Sequence, residues 1–337
     1  MTEAAQFLEL LRRDGHVLDP HARLTHLSGG VSSEIYLVED GAEKFVVKRA
    51  LAKLKVKDDW FADVSRNASE RNYLACVGQL LPGIVPQIRF ASPDAGYFGM
   101  DFLGDGFANW KQLLLAGDCQ TRHAELAGKI LGEIHQRTSG DDSLRKQFDT
   151  TGNFHQLRLE PYLLTTGARH PELREFFMAE ARRIEATREA LVHGDFSPKN
   201  ILIHGDRMVL LDCETAWYGD PAFDVAFLLN HFFLKLLYHA PRETGITKMI
   251  AAFWRQYLAS SAKAAAEFEP RVLRLLPLLL LARVDGKSPA EYLDATRRDF
   301  IRRFVTEELL HGGLELAPFV QSWLDQSRSL APIIISK

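Results

Sequence analysis

The sequence predicts an α+β chain in two parts. Residues 1–103 read as a small antiparallel sheet with a helix, and residues 104–337 as a larger, mainly helical part. Three observations carry this reading. Short β-branched and aromatic runs, such as Phe45-Val46-Val47 and Tyr97-Phe98, alternate with glycine turns in the first hundred residues. From Asn109 onward the apolar residues mostly recur with the 3.6-residue helical period. A stretch from Leu191 to Asp212 interrupts that period with short apolar runs around polar clusters, and the chemistry of the chain is concentrated there.

Composition narrows the function classes. With 337 residues, 46% hydrophobic and 25% charged, the chain can bury a large core, as a soluble globular protein does. A net charge of −3, from 41 Lys+Arg against 44 Asp+Glu, gives no basic surface for nucleic acid or membrane. Cys76, Cys119 and Cys213 are odd in number and widely spaced, which fits neither a disulfide framework nor a metal site. The first residues, MTEAAQFLELLRRDG, read as an amphipathic helix rather than a signal peptide. The most apolar run, VLRLLPLLLLARV, is too short for a bilayer. A cytoplasmic, reduced protein with a small-molecule partner is expected.

In order along the chain, Leu24 to Leu37 reads strand, glycine turn, strand. Gly29 and Gly30 allow close approach of a ligand, and Ser32 and Ser33 add hydroxyls and amides that suit phosphate. Asp40-Gly41 turns the chain into a third strand that carries Lys48 near its end. Phe61 to Leu81 is helical by pattern, and Glu70 falls within about 40° of the Leu74, Val77 and Leu81 stripe at 100° per residue. A carboxylate on an apolar face needs a partner. Lys48 is the expected one, with Arg66 as the local alternative. Gln87 to Leu103 reads as a hairpin turning at Pro93-Asp94-Ala95-Gly96.

Helices are expected over Asn109 to Gly117, Gln120 to Thr138, Pro171 to Arg188, Pro221 to Leu237, Arg242 to Ser261, Arg271 to Arg283 and Pro289 to Glu308. His135 reads as a packed or hydrogen-bonded helix residue. Gly286-Lys287-Ser288 is no P-loop, because the glycine that motif requires is Leu281 here.

The central stretch carries the chemistry. After Leu191-Val192 comes His193-Gly194-Asp195-Phe196-Ser197-Pro198-Lys199-Asn200, and then a hairpin that ends at Asp212. Asp195 and Asn200 stand five apart, the D-x-x-x-x-N spacing of phosphoryl-transfer loops. Such a reaction needs its charge neutralised and its acceptor hydroxyl aligned. Asp195 would take the hydroxyl proton. Asp212 and the neutral amide of Asn200 would hold Mg²⁺ through hard oxygens. Glu214, read as lying on a strand two residues past Asp212, would face the same side and be a further ligand.

HGDFSPKNILI followed by LLDCETAWYGDPAFDVAF resembles the aminoglycoside phosphotransferase and choline kinase family of small-molecule kinases, and the resemblance covers most of the chain. It implies a protein-kinase-like two-lobed fold that uses ATP and Mg²⁺. It further implies that Gly29, Gly30, Ser32 and Ser33 belong to the nucleotide loop and that Lys48, held by Glu70, contacts phosphates. Met100 would line the adenine pocket, and the backbone of Asp101, Phe102 and Leu103 would bond the base. Asp224 would anchor the catalytic loop. The loop with Arg283, Asp285 and Lys287 lies where family members bind substrate.

VVKRALAKLKV and DCETAWYGDPAFDVAFLLN are similar to methylthioribose kinases, a sugar-kinase branch, although HGDFSPKN departs from that branch's usual loop. Only eleven residues separate Asp212 from Asp224, without an A-P-E signature, which disfavours a protein kinase. Residues 242–337 carry fourteen Lys+Arg and eleven Asp+Glu, a net of +3, so a polycationic aminoglycoside or an amino alcohol is the second choice. A sugar-like or polyol hydroxyl is the leading acceptor. An inactive kinase-like binding protein is the alternative from another class.

Overall fold

The computed structural model describes residues 3–27, 33–51, 63, 65–242 and 244–332. The chain forms two compact units, Met1–Phe107 and Ala108–Lys337.

The first unit is built on a five-stranded antiparallel sheet of order β1-β2-β3-β5-β4. Its strands are β1 (Arg23–His26), β2 (Ser33–Asp40), β3 (Glu43–Ala50), β4 (Ile88–Ser92) and β5 (Tyr97–Asp101). Helix α1 (Glu3–Arg13) sinks Phe7 and Leu11 against Val17, Tyr36, Val38, Phe45, Val47 and Tyr97. Each such side chain withdraws apolar surface from water for about 1.5–3 kcal/mol. Helix α2 (Arg66–Leu80) packs against β3 and β4 and buries Tyr73, Leu74 and Val77. Residues 61, 62 and 64 of the expected helix lie outside the described residues. β3 is the central strand, so Lys48 sits between Ile35 on β2 and Phe98 on β5.

The second unit is mostly helical. Its early helices are α3 (Trp110–Ala116), α4 (Thr121–Thr138), α5 (Asp142–Gln147) and α6 (Thr151–Phe154). A ten-residue π-helical segment (His155–Leu164) and α7 (Thr165–Arg169) follow, then a 3₁₀ turn (Pro171–Leu173) and α8 (Arg174–Ala186). The later helices are α9 (Ala222–His239), α10 (Ile246–Ser261), α11 (Ala265–Asp285), α12 (Ala295–His311) and α13 (Leu316–Ser327). Two small sheets support the central loops. β6 (Ala108–Asn109), β8 (Ile201–His204) and β9 (Arg207–Leu210) form one, and β7 (Ala190–Val192) pairs with β10 (Trp217–Gly219) in the other.

Helix α9 is buried from Ala222 to Leu237 on every side, with α11 packed along it. Such an all-round apolar helix forms the centre of a large core.

Several boundaries differ from the periodic reading. α12 starts at Ala295, not Pro289, because the Asp294 side chain accepts from the Arg297 N–H at 2.8 Å and caps it there. α10 starts only after Gly245, whose φ of +84° ends the preceding turn. α11 runs six residues further back than expected, through Pro270. The π-helical segment and α13 carry no sequence signal that the period revealed. Among the described residues no helix is long and apolar enough to cross a membrane.

Candidate active site

The central loop of the second unit is fixed before any functional group is considered. β7 pairs with β10 through Val192 and Trp217 and delivers His193-Gly194-Asp195. Gly194 has φ +76°, and a Cβ there would lie 2.6 Å from the Thr215 carbonyl oxygen, so only glycine fits. Asp224, in the first turn of α9, accepts from the backbone N–H of His193 at 2.7 Å and of Gly194 at 2.9 Å. Hydrogen bonds to a charged group contribute about 1.5–3 kcal/mol each. Behind it, His135 Nε2 lies 3.4 Å from Asp224 Oδ2, and His135 Nδ1 lies 3.0 Å from the Tyr257 hydroxyl. Asp224 thus holds the loop from behind.

Asp195 is 4% exposed, and its two carboxylate oxygens differ. Oδ2 meets Arg158 Nη2 at 2.8 Å and Lys199 Nζ at 3.1 Å. Oδ1 is buried and has no hydrogen-bond partner among the described residues. Burial by itself would raise this carboxyl, but the Lys199 ammonium and Arg158 guanidinium outweigh it and hold it below its ordinary 3.8. The group is therefore an anion at neutral pH, with one oxygen committed and one open.

Arg158 was not visible as a site residue in the sequence. It lies in the π-helical segment and also donates from Nε to the Gly194 carbonyl. Its guanidinium stands over the rings of Tyr162 and Phe227, at 5.8 and 5.7 Å from their centroids. No spacing rule links it to Asp195, since the two meet only through folding.

Asn200 ends a 3₁₀ turn (Pro198–Asn200), and its Nδ2 donates to the Asp195 carbonyl at 3.2 Å, which leaves the amide oxygen as an acceptor. Asp212 follows β9 with φ +59°, a left-handed conformation that costs a non-glycine residue energy. The expectation that Glu214 shares a strand with Asp212 fails. Residues 211–216 form no strand, because Asp212 breaks the extended backbone and Glu214 lies in a turn. The turn nevertheless leaves a carboxylate oxygen of Asp212 and one of Glu214 within 4.8 Å of each other. These hard oxygens suit a cation of the Mg²⁺ type.

In the first unit Lys48 Nζ lies 2.7 Å from Glu70 Oε2 and 2.9 Å from Oε1, both side chains being 2% exposed. Arg66, the local alternative, turns instead to the carbonyls of Asp63 and Leu51. Met100 is buried between Val46 and Ile88. The Asp101 N–H is committed to the Gln87 carbonyl at 2.9 Å, and its carboxylate accepts from Arg89. Phe102 and Leu103 are half-buried. Ser33 is buried on β2, and Gly29, Gly30 and Ser32 lie outside the described residues.

Of the three residues expected in a loop, Arg283 and Asp285 lie instead in the last turn of α11, and only Lys287 follows the helix. Asp285 is held by Arg302 at 2.7 Å and His170 at 2.8 Å, and Lys287 by Glu160 at 3.0 Å. Arg283 bonds Ser288 through Nη1 and has no partner at Nε among the described residues.

The sequence profile of the phosphotransferase enzyme family matches residues 23–276. The methylthioribose kinase of Yersinia pseudotuberculosis is 22% identical in an alignment of 262 positions that covers 69% of this chain and 64% of that protein. The chain thus spans somewhat under two thirds of that relative's length. Among solved structures, an amicoumacin kinase, hAmiN, in complex with AMP-PNP, Ca²⁺ and its ligand superposes with a TM-score of 0.62. It is 14% identical, with 95% of this chain and 99% of that one covered. The choline kinase of Cryptosporidium parvum gives 0.59 at 14% identity, over 95% and 100%. At such identities these likenesses concern the fold, a protein-kinase-like α+β architecture.

Proposed function

We propose that this chain, which belongs to the phosphotransferase enzyme family, is an ATP-dependent kinase that phosphorylates a hydroxyl of a small polar acceptor, sugar-like or polyol in character. The observation that carries the proposal is the split Asp195 carboxylate, with Oδ2 tied to two cations and the buried Oδ1 open. An acceptor hydroxyl donating to Oδ1 supplies the missing hydrogen bond and is aligned by it. As the acceptor oxygen bonds to the γ-phosphorus, the bond from that phosphorus to the bridging oxygen breaks and ADP leaves. The hydroxyl proton passes to Asp195. Arg158 and Lys199 keep Asp195 ionised until then and fix its orientation.

The donor set fits a divalent cation, Mg²⁺ in this reading, held by Asp212 and Asn200 with Glu214 beside them. Bound there, the ion would offset charge on the phosphates. In the first unit, the Lys48–Glu70 pair presents a lysine suited to phosphate oxygens. Because the Asp101 N–H is already committed, Phe102 and Leu103 are the better candidates to bond a base beside Met100. Ser33, with Gly29, Gly30 and Ser32, completes the proposed nucleotide loop. The two units would thus serve as nucleotide-binding and catalytic lobes of a cytoplasmic enzyme.

The test is ADP release with Mg·ATP and a panel of hydroxylated compounds. For Asp195→Asn we expect turnover to fall by roughly 10²- to 10⁴-fold with Mg·ATP binding kept. Unchanged turnover in that variant removes Asp195 from the role.

A further inference from the structure

Helix α9 carries a stripe that leads away from the catalytic loop. Asp224, Phe227, His231 and Lys235 follow one another at spacings of three and four, so they share a face. Asp224 pins the loop and Phe227 lies beneath Arg158. His231 stacks edge-on against Phe227, with centroids 5.4 Å apart. Lys235 comes last and is 0% exposed. Its Nζ bends back to the His231 carbonyl at 3.4 Å, toward the catalytic end. The ammonium therefore lies near the level of His231, one turn or about 6 Å of rise beyond Phe227.

A fully buried lysine normally has a carboxylate, because desolvating an unpaired ammonium costs several kcal/mol. Lys235 has none among the described residues. Besides the His231 carbonyl it reaches only the Tyr292 hydroxyl at 3.5 Å, and it stands 5.3 Å from that ring's centroid. Glu291, an acid whose charge acts on Lys235, is engaged by Lys111, whose own Nζ lies 5.7 Å from the Tyr292 centroid. Arg283, on α11 packed along α9, also lacks a carboxylate and leaves a buried Nε without a partner. Among the described residues, two cations are thus buried beyond the loop that Asp224 pins, with no carboxylate paired to either. Burial first, then the charges of Lys111 and Arg283, bring the Lys235 ammonium down to about 7. His231, depressed by burial and by Lys235 and Arg283, is neutral at physiological pH.

We propose that Lys235 and Arg283 form an anion-binding end of the acceptor site, so that the substrate is a hydroxy compound bearing a carboxylate or phosphate group. The inference rests on the kinase reading for its hydroxyl end and adds the charge of the other end. Bound, the anion supplies the missing counter-charge to Lys235 and the acceptor for Arg283 Nε, while the hydroxyl reaches Asp195 Oδ1. Neutral polyols would leave both cations uncompensated, and amino alcohols would add a third positive charge.

Two readouts test this. In ADP release, acceptors are compared in matched sets: hydroxy acids such as glycerate, polyol phosphates such as glycerol 3-phosphate, neutral polyols and amino alcohols. The first two arms separate carboxylate from phosphate. Lys235→Met and Arg283→Gln are each expected to raise the KM of the anionic acceptor roughly 10- to 150-fold, the range of a hydrogen bond to a charged group. In thermal titration without nucleotide, the same anions should raise the Tm of wild type and lose that effect in both variants.

Turnover confined to neutral or amino acceptors, or anion titrations equal in wild type and variants, overturns the inference and leaves the kinase reading standing. ADP release absent in every arm, with anion binding that depends on Lys235, overturns the kinase reading and supports the anion site. Lys235→Met keeps the stem in place, so its melting curve also reports whether the fold survives.

Discussion

The two units each bury a lysine, and the two lysines are treated differently. Lys48 is central in a sheet and 2% exposed, yet Glu70 meets it at 2.7 Å from a helix in the same unit. Lys235 is 0% exposed and among the described residues hydrogen-bonds only a carbonyl and a phenol. The first pair closes its own electrostatics and needs no ligand to explain it. The second leaves a charge open, which a fold tolerates at a cost unless something else completes it. A paired buried charge speaks of architecture, whereas one without a carboxylate, on the same helix face as Asp224, speaks of what a site receives.

That contrast can be broken most sharply at Glu70. Glu70→Leu strands Lys48 in the interior and should cost about 3–5 kcal/mol in urea unfolding. The double variant Lys48→Met/Glu70→Leu, with both charges gone, should recover most of that loss. If Glu70→Leu were as stable as wild type, the two lysines would not differ in the way described.

Lys235→Met should go the other way at pH 7, stabilising the chain by on the order of 1–4 kcal/mol, since a buried charge without a partner is removed. The folded chain holds Lys235 at about 7 and the unfolded chain at its ordinary 10.5. Between those values the unfolded state binds more protons, so wild-type stability rises with pH and the advantage of Lys235→Met shrinks toward pH 10. The groups facing this ammonium are Lys111, Arg283, Glu291, Cys119, His231 and Tyr292. A gap that stays constant with pH, read from urea midpoints, would count against an uncompensated Lys235.

The smallest effect is expected at Tyr292→Phe. It removes a long 3.5 Å contact and keeps the ring under the ammonium, for a change of about 1 kcal/mol or less. A larger loss would mean that the phenol already serves Lys235 as its partner.

Much of the site was readable before folding. The D-x-x-x-x-N spacing marked Asp195 and Asn200, and the stripe on α2 put Glu70 inward and called for Lys48. The Lys48–Glu70 reading is met by the structure, because it rests on local periodicity and on the cost of burying charge. Glu214 shows the limit: the alternation argument assumed extended backbone, and Asp212 at φ +59° ends it. Arg158 shows another, since its meeting with Asp195 depends on a π-helical segment in which no local pattern announces the geometry.

The sequence by itself determined the α+β class and marked the residues proposed here for phosphoryl transfer. Those features follow from period, turn chemistry and spacing, which act over a few residues. Only tertiary structure decided that Asp195 offers one oxygen and not two, and that Lys235 is enclosed without an acid. Both depend on which side chains arrive from segments far apart in the chain, and that is set by packing around α9 rather than by any neighbour in sequence.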